Sequence, residues 1–350
     1  MTTADISFSA VLKEAESEHG LSGPTARRAF DAVLSGGWTA TQIAGLLVAL
    51  RPRGDTVEVI GAAAESMRAA MVRVHHSFDR VLDTCGTGGD GQGTINLSTA
   101  AAVVVAAAGV VVAKHGNRAV SSRAGSADVL EQLGIVLALE PDSTSEILKD
   151  VGIAFMLAPT YHPAMRHAMT ARRELGVRTI FNCLGPLANP AGATHQLLGA
   201  YSKEIRPILA HTLWHLGTKR AWVVNSRDGL DEVSPFGPTF VSEVTGTGVV
   251  EHEVAPEDFG IAPSPPGAIA GGDGADNARA LKAILRNQPH PATDAVVLNA
   301  AAALVVAEGL APKQATDRVR QLIASGAADQ KLTQWAAATR NAAAKHTAKS

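Results

Sequence analysis

From Ala100 to Ala113 the sequence "AAAVVVAAAGVVVA" carries no polar side chain, and phosphate-seeking segments stand at both ends. On one side is "DTCGTGGDGQGTINLST", residues 83–99; on the other is "KHGNRAVSSRAGS", residues 114–126. The apolar run is too short for a bilayer span, which takes about 20 residues. Gly109 splits it into an alanine-rich half, suited to a buried helix, and a valine-rich half, suited to a buried strand. The run therefore predicts core, with its flanking loops held near one another.

Strand-rich and helical runs alternate around this core. Residues 8–71 read as four short helices. Pro24 fits a helix start and Gly36–Gly37 its end, and Thr39 and Gln42 have capping-box spacing ahead of "IAGLLVAL". "DTVE" opens the fourth helix. Strands are predicted at Val81–Asp83, Val110–Ala113, Ile153–Leu157, Leu197–Ala200 and Trp222–Asn225, with helices at 142–151 and 203–216. Residues 239–255 read as a hairpin around "TGTG". Such alternation predicts an α/β fold: a small N-terminal helical domain and a larger α/β domain with a mostly parallel central sheet, with a cleft between them. The expected boundaries are 1–72 and 73–350, with helices around 165–190 packing back onto the first domain.

Composition removes several functional classes. The net charge of −2 and the 4% aromatic content give neither a broad basic surface nor a stacking platform for nucleic acid. Two cysteines, Cys85 and Cys183, make neither a disulfide framework nor a metal knuckle. The first twenty residues lack a basic start and an apolar signal core, so a cytoplasmic setting without membrane attachment is expected.

"GTGGDG", Gly86–Gly91, fits G-x-G-x-x-G after a strand. A dinucleotide site, however, needs an acidic residue at the end of its second strand, and here Lys114–His115–Gly116–Asn117–Arg118 follow instead. That end attracts phosphate. No Walker A pattern occurs. The glycines admit backbone N–H groups to oxygen atoms, and Asn96, Ser98 and Thr99 stand at a helix start, where anions bind. A third strand end carries Asp228, Asp231 and Glu232 in "RDGLDEVSP"; carboxylates beside a phosphate cradle suit Mg²⁺.

Together, "GTGGDGQGTINLST", "KHGNRAVSSRAGSADVLEQLG", "YHPAMRHAMTARRELGVRTIFNCLGPLANPA" and "DGLDE" resemble the anthranilate phosphoribosyltransferases, from "TARRAFDAVLSGG" to about Thr339. The glycine loop and "KHG" alone are shared with pyrimidine nucleoside phosphorylases. The resemblance implies transfer of a 5-phosphoribosyl group from phosphoribosyl pyrophosphate to the amino group of anthranilate, in tryptophan biosynthesis. It implies donor contacts at Gly86, Gly89, Asp90, Thr94, Asn96, Leu97, Ser98, Thr99, Lys114, His115, Gly116, Asn117, Arg118, Ala119, Val120, Ser121, Ser122 and Ser126. Anthranilate contacts are implied at Gly86, Asn117, His162 and Arg172. Two Mg²⁺ ions per subunit are implied, with Ser98, Asp231 and Glu232 as metal ligands, and a homodimer through the helical domain.

The chemistry agrees with the residue types. Glycosyl transfer builds positive charge at the anomeric carbon and negative charge on the departing pyrophosphate. Anthranilate's amine is neutral at physiological pH, so no general base is assigned, and His115 is expected to serve a phosphate or structural contact. His211 and His215 stand at i,i+4 but lack the glutamate of H-E-x-x-H. "GGDGADNA", residues 271–278, is expected to be a structural turn into a helix. One departure from the family pattern is Asn225–Ser226, where many members carry His–Gly. The alternatives are a pyrimidine nucleoside phosphorylase and a non-catalytic relative that binds nucleic acid.

Overall fold

The computed structural model describes residues 6–52, 55–119 and 123–347. Helices α1 (Phe8–Ala15), α2 (Gly23–Leu34), α3 (Ala40–Leu50) and α4 (Val57–Ala70) form the N-terminal bundle. Local chemistry sets their ends: Thr39 and Gln42 close a capping box on α3, and Thr56 accepts the Val59 N–H at the start of α4.

The sheet follows. Strands β1 (Leu82–Gly86), β2 (Val112–Gly116), β3 (Ile153–Leu157), β4 (His195–Gly199) and β5 (Arg220–Ser226) are parallel. The hairpin β6 (Thr239–Thr245) and β7 (Gly248–Val254) adds two antiparallel strands, giving the order β3-β2-β1-β4-β5-β6-β7. Between the strands lie α5 (Leu97–Ala107), α6 (Ser126–Gln132), α7 (Pro141–Val151), α8 (Ala158–Tyr161), α9 (Arg166–Leu175), α10 (Phe181–Leu187) and α11 (Ile205–His215). The chain finishes with α12 (Gly274–Leu285), α13 (Thr293–Glu308), α14 (Pro312–Ala324) and α15 (Ala327–Thr347).

Alternation along the strands explains the two cores. Leu197, Trp222 and Val224 face one cluster with α5 and α13, while Leu198 and Val223 face the other with α2, α3 and α4. Ala168 and Ala171 of α9 and Phe181 and Leu184 of α10 join the second cluster, so the segment around 165–190 packs on the bundle. The apolar run at 100–113 is core: α5 is buried along most of its length, and β2 follows. No single described helix is long and apolar enough to cross a membrane.

Four strand boundaries differ from expectation. β1 runs to Gly86 instead of stopping at Asp83, and β2 occupies Val112–Gly116 instead of Val110–Ala113. β4 and β5 begin two residues early. Parallel pairing with β3 extends β2 through Lys114, His115 and Gly116; the polar side chains of Lys114 and His115 and the glycine after them hid this part of the strand from a hydrophobicity reading.

The chain leaves β1 toward β2 on one side and returns as β4 on the other. This is a topological switch point, and ligands bind in the crevice beyond the strand ends there.

Candidate active site

The glycine loop leaves β1 directly over this crevice. Thr87 N–H donates to Gly199 O at 2.8 Å, Tyr201 N–H donates to Thr87 Oγ1 at 3.0 Å, and Gly88 N–H donates to Asp231 Oδ2 at 3.1 Å. The loop after β5 is thereby tied to the loop after β1. Its second carboxylate is tied to the helix that follows: Ser98 N–H, in the first turn of α5, donates to Glu232 Oε1 at 3.2 Å.

Asp231 and Glu232 are partly exposed yet hemmed in by protein. Burial raises both carboxyl pKa values above the usual range. The charge of Asp90 adds to the rise at Asp231, and the charge of Asp231 to that at Glu232. Among the described residues the buried Asp90 Oδ2 has no hydrogen-bond partner. Crowded carboxylates of this kind call for a cation. Among the described residues no three His, Cys, Asp or Glu side chains form a closed metal centre. A hard ion held here would complete its shell with the Ser98 hydroxyl, phosphate and water. Asp228, grouped with these carboxylates on sequence grounds, is occupied otherwise: it accepts from Ser226 Oγ and, at 2.8 Å, from Ser234 Oγ. Asn225 and Ser226 shape the same turn, Asn225 Nδ2 donating to Ala200 O at 2.8 Å and Ser226 Oγ accepting from Leu230 N–H at 2.9 Å.

β2 supplies the second wall. Lys114 is buried; its Nζ donates to Thr84 O and, at 3.3 Å, to Ser98 Oγ. Burial lowers its pKa, while Asp83 opposes that shift. His115 N–H donates to Asp83 Oδ1 at 3.1 Å, and its ring Nδ1 lies 3.0 Å from Gly185 O on α10. The His115 and His162 rings are 5.0 Å apart. Burial depresses His115 to about 3, helped by the charge of His162, and depresses His162 to about 4. Among the described residues His115 Nε2 lacks a hydrogen-bond partner, and the backbone of Ala188 opposes part of the fall at His162.

Some expected donor residues turn away from the crevice. Leu97 and Thr99 point into the core and offer only backbone. The Arg118 guanidinium forks onto both carboxylate oxygens of Glu131 at 2.6 Å and reaches Asp128 at 3.3 Å. Asp128 also accepts the N–H groups of Ala119 and Gly125, folding the basic loop back on α6. Gly116 has no room for a side chain beside Ser126 and Phe155, and Ser126 Oγ donates to Asn117 O at 3.3 Å. Val120, Ser121 and Ser122 lie outside the described residues.

Arg172 stands on α9 with its guanidinium 5.4 Å from the Phe181 ring. It makes no ion pair among the described residues, and burial lowers its pKa. A desolvated guanidinium without a counter-ion suits an incoming carboxylate. Sequence reasoning missed Arg178, which donates to Gly89 O at 2.8 Å and lies 3.8 Å from the Tyr201 ring centroid, bracing the glycine loop from outside. Only its place beside Thr179 in "LGVRTIF" hinted at this. The 269–277 segment was likewise missed: Ile95 N–H donates to Ile269 O at 3.0 Å and Gly271 N–H to Gly93 O at 2.8 Å, so it lines the exit of the glycine loop.

A helical bundle set on an α/β domain, with phosphate-seeking loops at its switch point, defines a glycosyl transferase. Residues 10–71 match the family described as "Glycosyl transferase family, helical bundle domain", and residues 79–329 match its "a/b domain". Anthranilate phosphoribosyltransferase of Rubrobacter xylanophilus is 51% identical over 86% of this chain and 88% of its own. The crystal structure of the Thermus thermophilus enzyme superposes with a TM-score of 0.88 at 42% identity, covering 94% of this chain and 99% of that one. The Saccharomyces cerevisiae enzyme in complex with PRPP and Mg gives 0.89 at 28% identity, covering 97% and 100%; it has also been solved with 4-fluoroanthranilate. The chain belongs to the anthranilate phosphoribosyltransferase family.

Proposed function

We propose that this protein transfers the 5-phosphoribosyl group of phosphoribosyl pyrophosphate to the amino group of anthranilate, releasing pyrophosphate, as the second step of tryptophan biosynthesis from chorismate. The observation that carries this reading is the joining of Asp231 to the glycine loop and of Glu232 to the start of α5, which brings carboxylates to a phosphate cradle. A nucleoside phosphorylase would leave the uncompensated Arg172 without a carboxylate to bind.

Ser98, Asp231 and Glu232 would hold magnesium, two ions per subunit with Glu232 shared. Magnesium, when bound, offsets the charge that develops on the leaving pyrophosphate. Backbone N–H groups of the glycine loop, with Thr94 and Asn96, hold the donor; Lys114, donating to Ser98 Oγ, fixes that hydroxyl. Gly86 and Asn117 border both substrates. Arg172 takes the anthranilate carboxylate and presents the amine to the anomeric carbon. His115 and His162, kept neutral by burial, form walls that do not protonate the amine. Catalysis then rests on positioning and electrostatics. The helical domain spans 1–72 and the donor-binding domain 73–350, and the protein works as a cytoplasmic homodimer; the exposed Val48 on α3 is the sort of side chain a bundle interface covers.

Anthranilate fluorescence tests this directly. It is expected to decay only when phosphoribosyl pyrophosphate and Mg²⁺ are both present, and to stop on adding a chelator. Steady fluorescence with folded protein and both additions, or phosphorolysis of pyrimidine nucleosides in its place, would overturn the assignment.

A further inference from the structure

Asn96 occupies the N-cap position of α5, yet its side chain caps nothing. An N-cap asparagine ordinarily turns its amide oxygen onto the N–H of the second or third helical residue, here Ser98 or Thr99. In this protein the Ser98 N–H donates to Glu232 Oε1 instead. The Asn96 amide has been drawn elsewhere. Its Oδ1 accepts from Asn277 Nδ2 at 2.9 Å, and its own Nδ2 donates to Ala124 O at 3.3 Å.

Asn277 is itself fixed. It is buried in the first turn of α12, with its Oδ1 accepting the Gly272 N–H at 2.8 Å, so its amide can present only N–H groups to Asn96. Gly272 belongs to the segment that pairs with the end of the glycine loop, where Thr94 and Ala270 form an isolated bridge. One chain of hydrogen bonds thus runs from Gly272 through Asn277 and Asn96 to Ala124, joining the C-terminal segment to both donor loops.

We propose that Asn277 is a positioning residue for the donor site. By holding Asn96 off its own helix, it leaves the Ser98 N–H to Glu232 and keeps the Asn96 amide in one orientation toward the donor. The inference deepens the proposed function and rests on Asn96 as a donor-binding residue. It gives "GGDGADNA", which sequence reasoning treated as a structural turn, a part in substrate binding from a distant stretch of chain.

The loss of Asn277 frees Asn96 to swing onto the Ser98 or Thr99 N–H, competing with Glu232. Asn277→Ala removes both of its hydrogen bonds, whereas Asn277→Asp keeps the acceptor for Gly272 and loses the donor to Asn96. Each variant, with Asn96→Ala and the Asn96→Ala/Asn277→Ala pair, is to be compared with wild type. The readouts are calorimetric binding of phosphoribosyl pyrophosphate with Mg²⁺, steady-state kinetics in each substrate, and thermal unfolding. The expected result is about tenfold weaker donor binding in both single Asn277 variants, the loss of about one net hydrogen bond, with the anthranilate KM unmoved. Asn277→Ala is expected to add no further weakening in the Asn96→Ala background, because no amide remains to be misplaced. A purely structural asparagine would raise both KM values together and act additively with Asn96→Ala; either of these, or unchanged donor binding, overturns the inference. A lower melting temperature of Asn277→Ala follows from its lost buried hydrogen bonds under either role and serves only to set an assay temperature at which every variant is folded. Donor binding without turnover in the wild type would instead count against the acceptor side of the proposed function.

Discussion

Gly199, the last residue of β4, lies so close beneath Asp231 that no side chain fits between them. A Cβ at Gly199 would stand 2.6 Å from the Asp231 carbonyl carbon and closer still to its oxygen. A backbone cannot yield as a flexible side chain can, so the acidic loop must move if the glycine is replaced. Gly199→Ala is therefore expected to displace Asp231 and cut kcat/KM by at least about tenfold, in line with the 1–3 kcal/mol typical of overpacking. Rate measured against Mg²⁺ concentration checks this; unchanged magnesium dependence would mean that the loop is not seated by Gly199.

Arg172 is partly buried over Phe181 with no counter-ion among the described residues. Arg172→Lys keeps the charge and loses the planar fork that meets a carboxylate with two hydrogen bonds. The anthranilate KM is expected to rise about tenfold, with the KM for phosphoribosyl pyrophosphate close to wild type. Equal changes in both constants would place Arg172 outside the acceptor site.

The carboxylates of Asp231 and Glu232 are crowded and desolvated without a cation, and their raised pKa values record the cost. Neutral amides of the same shape relieve it. Asp231→Asn and Glu232→Gln are expected to lower kcat by about 10²–10³, as for other lost electrostatic stabilisation. In chelator, the same variants are expected to melt higher than wild type by on the order of a degree or two. Scanning calorimetry in chelator decides the second part. Variants that melt lower would show that these side chains serve the fold more than the metal.

The parts of the site that sequence revealed were those with their own local signature. The glycine loop, "KHGNR" and "DGLDE" each stand at the end of a β-rich run, and parallel strands bring such ends together. Helix ends were legible for the same reason, since the Thr39–Gln42 box needs only four consecutive residues. What stayed hidden depends on partners far along the chain. Lys114 and His115 read as loop because they are polar, but pairing with β3 and contacts to Thr84, Asp83 and Gly185 make them strand. Arg118 read as a phosphate ligand because of its charge, and nothing in its immediate sequence indicates that Glu131 claims it. Arg178 on Gly89 and Asn277 on Asn96 are unions of single residues over 89 and 181 positions, with no periodicity to announce them.

His115 and His162 make acid stability a measurable consequence of the buried site. Both are depressed from 6.5, to about 3 and about 4, chiefly by burial. Above pH 6.5 each is neutral in the folded and unfolded chain, so their contribution is present in full. As pH falls below 6.5 the unfolded chain takes up protons that the folded chain refuses. Stability is lost progressively until the folded pKa values are reached near 4 and 3. At pH 5 the loss amounts to about 2 kcal/mol for each histidine, as an order of magnitude. Denaturant unfolding at pH 7 and pH 5 is expected to show this difference in wild type and a shallower one in His162→Gln, which has no proton to gain at that position. An equal pH dependence in the variant would show that His162 titrates in the folded protein much as it does in the unfolded chain.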